Sequence, residues 1–190
     1  MAHTTERQAP TPLPDAGDTR PETAGLTERA NRPTQVVLGV LRMMLGFTFL
    51  WAFLDKTFGL GFATPSEGAW IHGGSPTTGF LSHVDGPFAG LFTGIAGAAW
   101  ADWLFMAGLL GIGLALMLGI AMRIAAVAGP ALLVLMYLAE LPLENNPVVD
   151  DHLTSALTII ALTLLGAGSA IGLGKTWRRL PVVRRNTWLV

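Results

Sequence analysis

The sequence predicts an all-α membrane protein: a four-transmembrane-helix bundle, N-in/C-in, with short interfacial helices in its first outer loop. Three observations carry that expectation. Four apolar stretches, about 35–58, 101–122, 124–141 and 152–173, approach or reach the roughly 20 helical residues that cross a hydrocarbon core of about 30 Å. Only 13% of the 190 residues are charged, against about 25% in ordinary soluble domains. The charges also sort by sign along the chain.

Arg7, Arg20, Arg29 and Arg32 precede the first stretch, Arg123 lies between the second and third, and Lys175, Arg178, Arg179, Arg184 and Arg185 follow the fourth. The positive-inside rule puts these segments, and so both termini, in the cytoplasm of a cell (cytoplasmic) membrane. Asp55, Glu67, Asp85, Asp102, Glu140, Glu144, Asp150 and Asp151 all fall on or near the other side. A net charge of −1 gives no reason to expect nucleic acid. The absence of cysteine excludes disulfides, thiolate metal sites and a thiol intermediate on this chain. Any redox chemistry therefore needs a bound cofactor or a partner.

Residues 1–34 are polar and Pro-rich and read as a disordered cytoplasmic tail. They hold no apolar signal-peptide core, so the first span is expected to act as its own insertion signal. Residues 35–174 form the membrane domain, and 175–190 a basic cytoplasmic tail. The segment 59–99 is the longest connection. Ser75-Pro76 and Pro87 mark two helix starts there, because Ser caps and Pro fits a first helical turn. The second and third spans form a tight hairpin around Met122-Arg123, and Pro130 is expected to kink the third. Asp150 or Asp151 can cap the fourth span, and GAGSAIGLGK (166–175) closes it with small residues suited to close helix packing. Trp70, Trp100 and Trp103 suit one aromatic belt and Trp177 the other.

Candidate chemistry concentrates at the outer end. Lys56 is the one basic side chain expected there, although its neighbour Asp55 can simply pair with it. Arg42 lies about 10 Å inside the first span, facing the bundle interior or snorkelling to the headgroups. Tyr137 and Glu140, at i and i+3, share a helix face and could bind a quinone carbonyl and pass it a proton; the plain alternative is an interfacial Tyr and a solvated Glu. Asp150, Asp151 and His152 head the fourth span. Helix capping accounts for one Asp, and His152 is a proton-shuttle candidate. A single His among carboxylates lacks specific metal-ligand spacing, so no metal is expected. Lys56, Asp102, Glu140, Asp151 and His152 fall at about one depth and converge if the bundle closes.

The stretch LRMMLGFTFLWAFLDKTFG (41–59), with its Arg, a Gly four residues on and a Lys at the far end, resembles the first span of DoxX-like membrane proteins. GAGSAIGLGK is similar to the motif that ends their fourth span. WIHGGSPTTGFL (70–81), with the Asn-Asn-Pro and Asp-Asp-His stretch, looks more like the DoxD branch, the membrane subunit of thiosulfate:quinone oxidoreductase. The resemblance covers about 35–177. It implies a four-helix bundle, electron transfer from thiosulfate to membrane quinone (menaquinone or ubiquinone), and a separate, mainly periplasmic redox subunit. Lys56 with Arg42 would then supply positive charge, while Tyr137, Glu140, Asp151 and His152 would bind quinone and handle protons. The alternative is a non-catalytic membrane anchor for soluble redox enzymes. A transporter would need a polar stripe through the spans, and the second, third and fourth have none.

Overall fold

A computed structural model describes the backbone of residues 20–144 and 146–189, and their side chains except those of 20–31 and Thr187. The described residues are helical, with no strand among them. The chain divides into two compact units, 1–34 and 35–190. In the first, residues 20–34 belong to α1 (Arg20–Phe58), so the described part of the expected tail is helical; residues 1–19 lie outside the described residues.

Among the described residues, three helices are long and apolar enough to cross a membrane: Arg32–Phe58 within α1, α4 (Ala99–Leu118) and α5 (Met122–Ala139), with mean hydropathies of 1.9, 1.9 and 1.8. They correspond to the first three stretches read from the sequence. Gly46 and Gly113 bring α1 and α4 together. A Cβ on Gly46 would lie 2.7 Å from the Met117 amide nitrogen, and one on Gly113 would lie 2.9 Å from that of Leu50. Only glycine permits backbones this close, as in small-residue helix pairs in membranes. Phe49, Met106, Ile112, Leu116, Leu133 and Ile159 fill the core between α1, α4, α5 and α6 (Asp151–Leu164). Valines and leucines such as Val37, Leu104, Val127 and Leu157 stand exposed on the flanks, where lipid would cover them.

The fourth apolar stretch departs from the expected span 152–173. Its helix α6 has 14 residues, about 21 Å at 1.5 Å each and short of the roughly 30 Å of a bilayer core. The reason lies at Gly166, whose φ of 70° ends the helix in the left-handed region. A short 3-10 turn, Ala167–Ser169, follows, and the chain runs on irregularly to Gly174. The small residues thus build a compact irregular segment that still packs closely on its neighbours: a Cβ on Gly168 would lie 2.7 Å from Met122 Cγ and one on Gly172 2.6 Å from the Leu118 carbonyl oxygen. Leu173 N–H donates to the Leu118 carbonyl (2.8 Å), fastening that segment to the end of α4.

The connection between α1 and α4 carries two short helices, α2 (Thr78–Leu81) and α3 (Ala89–Thr93), each beginning two residues after Pro76 and Pro87. Leu81 and Phe92 pack on Ala139 at the end of α5, making a second small core. Trp70 stacks edge-on against Trp103 (4.7 Å between ring centroids). After α6 come α7 (Gly174–Trp177) and α8 (Pro181–Arg185), so the basic segment is folded.

Candidate functional site

The end of α5 and the start of α6 bring three titratable groups together. Glu140 is the C-cap of α5 and Asp150 the N-cap of α6. Asp150 Oδ1 accepts the Leu153 N–H (2.9 Å), the ordinary role of an N-cap carboxylate. Its Oδ2 lies 2.7 Å from His152 Nδ1, and Glu140 Oε2 lies 3.5 Å from the same nitrogen. Burial, with Asp151 and Asp150 nearby, pushes the Glu140 carboxyl up from its ordinary value, although His152 works against this. Burial also pushes Asp150 up, but the Leu153 N–H and His152 outweigh it and hold that carboxyl below its usual range. The two carboxyls beside one imidazole thus differ in proton affinity. Glu140, Asp150 and His152 offer ligand atoms all within 4.8 Å of one another, a spacing that a metal ion could also use.

Two cavities meet here. A polar cleft of about 880 Å³ is lined by Asp85, Glu140, Glu144, Asp150 and Asp151, with no Lys or Arg among its described lining. An apolar groove of about 380 Å³ runs between α4 and α5 under α2 and α3, walled by Phe80, Phe92, Leu104, Phe105 and Met136. Phe80 and Ala139 line both.

The remaining candidates are distributed differently. Lys56 lies 5.8 Å from the Phe105 ring centroid, behind the groove wall. Asp55 accepts the Phe62 and Ala63 N–H groups (3.3 and 3.0 Å) and so holds the turn after α1. Asp102 is also occupied: it accepts from Ser75 Oγ, Thr77 N and Thr77 Oγ1 at 2.9, 3.0 and 2.6 Å, pinning the first loop to α4. The Tyr137 hydroxyl donates to the Val148 carbonyl (3.0 Å), and the residue lines neither cavity. Asp151 lies at the rim, its side chain 92% exposed, with Oδ1 3.6 Å from His152 Nδ1. Asp150 is therefore the closer carboxylate to His152. The signal was its place one residue before the helix, where an N-cap side chain folds back over the first turn.

Arg42 lies near the middle of α1, about 21 Å from Lys56 at helical rise. It is fully buried, and its Nη2 donates to the Ile171 carbonyl. Its Nε and Nη1 have no hydrogen-bond partner among the described residues. Gly119 and Gly172 lie against the guanidinium, and a Cβ on Gly119 would collide with Nη1. No family model, curated protein or solved structure matches the chain.

Proposed function

We propose that this chain is the membrane subunit of a quinone-linked oxidoreductase, similar to the DoxD branch of DoxX-like proteins. The observation that carries the reading is the shared wall of the two cavities. An apolar groove open at the helix flank suits a lipid-soluble ring, and the Glu140–His152–Asp150 cluster begins one residue beyond Ala139. Apolar walls with a few polar groups at one end are the usual make-up of a small-molecule pocket. Bound there, a quinone would supply a two-electron, two-proton acceptor. The chain's own part is to exclude water along the groove, to hold a proton on Glu140 at higher pH than an ordinary carboxyl, and to relay it through His152. Lys56 behind Phe105 adds positive charge to the groove wall.

Four crossings fit this reading, with both termini in the cytoplasm and α2 and α3 at the outer surface. Irregular backbone is tolerated at membrane depth where protein buries it. Arg42 and Leu118 supply partners to the segment after α6 that would complete the fourth crossing. Thiosulfate is a dianion and would be repelled by the carboxylates of the cleft, so we assign its oxidation to a separate redox partner.

The test is binding of a menaquinone analogue to the purified full-length protein, with Leu104→Trp filling the groove from its exposed side. Saturable binding that Leu104→Trp abolishes supports the proposal; binding that ignores the substitution, or no binding, overturns it. A non-catalytic anchor for soluble redox enzymes is the second reading. It is favoured by the structural duties of Asp55, Asp102 and Tyr137, and it expects His152→Ala to leave turnover by a co-purified partner intact.

A further inference from the structure

The segment after α6 is a built surface. Gly174 starts it, buried where a Cβ would meet the Gly168 and Gly119 carbonyl oxygens. Val183, 1% exposed, pins its middle. Trp177 Nε1 donates to the Leu189 carbonyl (2.7 Å), closing residues 177–189 into a loop. The final turn, Thr187–Leu189, packs against α5. This scaffold presents Lys175, Arg178, Arg179, Arg184 and Arg185, all exposed. From His152 to the C-terminus the sequence contains no Asp or Glu, so no acid of the segment itself can neutralise them. Leu180 and Val182 stand exposed between the cations in the sequence, and Leu173 and Trp188 stand exposed on either side of them.

We infer that this platform is a binding surface for anionic phospholipid headgroups in the leaflet at its end of the bundle. Arginine forks match phosphate oxygens, and each cation near an anionic leaflet adds attraction. The exposed Trp, Leu and Val side chains need an apolar boundary directly beside those anions. The interface between headgroups and acyl chains offers both, whereas nucleic acid or an acidic protein surface offers chiefly the charge. The inference rests on the membrane placement proposed above and is independent of the quinone reading. A chain that binds no quinone can still show this lipid preference.

The experiment is native mass spectrometry of the full-length protein in detergent, titrated with dioleoyl phosphatidylglycerol or dioleoyl phosphatidylcholine. The expected result is about fivefold or greater retention of the anionic lipid. The variant carrying Arg178→Gln, Arg179→Gln, Arg184→Gln and Arg185→Gln should fall to the phosphatidylcholine level, and the corresponding Arg→Lys variant should keep most of the preference. All four side chains are exposed, so these changes spare the packing around Val183. Equal retention of both lipids, or a preference that survives the Gln variant, overturns the inference. A second measurement does not depend on those variants. The chain has no cysteine, so Trp188→Cys gives a single spin-label site. In nanodiscs containing phosphatidylglycerol its nitroxide should report headgroup depth, and full exposure to an aqueous relaxation agent would sink the proposal.

Discussion

Arg42 and His152 look alike in the sequence, each a polar residue set in or against an apolar helix, yet the fold uses them in opposite ways. His152 meets carboxylates from α5 and α6 beside an open cleft. Arg42 meets a backbone carbonyl, with glycines where counter-charges would otherwise sit. Among the described residues its Nε and Nη1 have no hydrogen-bond partner, which is costly in a low-dielectric interior. The cost is borne where the guanidinium holds the irregular segment after α6. A polar residue among apolar ones therefore marks chemistry where its partners can titrate, and architecture where they are main-chain atoms.

The sharpest way to break this contrast is Arg42→Ala. It strands the Ile171 carbonyl and opens a cavity, and should lower stability by about 3 kcal/mol while leaving quinone-analogue affinity unchanged. Thermal unfolding in detergent, run beside the binding assay, checks both halves. Next in size, His152→Ala should reduce quinone reduction about tenfold, or about 1.4 kcal/mol, with little change in melting temperature. Equal losses in stability and turnover would erase the distinction between the two ends.

Asp150→Asn sharpens the comparison through pH. The Asp150 carboxyl is held below its ordinary value, so the stability it contributes is complete above about pH 4 and is lost as pH falls through the lowered folded value. Asn still caps the helix, so the variant loses the carboxylate's charge at the helix N-terminus and beside His152 and should be less stable by about 1 kcal/mol at pH 7, and the gap should close in acid. A gap that stays constant from pH 7 to pH 3 would contradict the assigned role. The smallest effect belongs to Tyr137→Phe, which loses the bond to Val148. Stability should fall by about 0.5–1 kcal/mol, with quinone reduction unaffected.

Hydropathy made α4 and α5 legible to within two to four residues at each end, because an uninterrupted apolar run of that length has few other ways to satisfy its backbone. Pro76 and Pro87 marked the neighbourhood of α2 and α3, but each lies one residue before the N-cap (Thr77 and Phe88) rather than in the first helical turn, and neither helix has a side-chain cap. The end of α6 was not legible. GAGSAIGLGK satisfies the pattern of a close-packed helix as well as that of a glycine-rich turn; Gly166 takes the turn, and the segment beyond it is held by Arg42, 129 residues away from its partner Ile171. The cluster was legible in part. Depth along the spans put Glu140 and His152 in one set with Lys56, Asp102 and Asp151, but the helix spacing paired Glu140 with Tyr137, and Asp150 and Asp151 could not be told apart without the helix start. The alternative that Asp55 simply pairs with Lys56 survives only as a through-space attraction, because adjacent helical residues do not face each other and the Asp55 oxygens bind the following turn.

Because Ile171 is held by Arg42, the first apolar segment completes the last one. A nascent chain that has delivered α4, α5 and α6 still owes its final stretch an arginine made long before. Splitting the gene between α1 and α4 would therefore leave the second fragment with an unfinished end. Co-expression of the α1 fragment should restore it, making the two halves obligate partners in biogenesis.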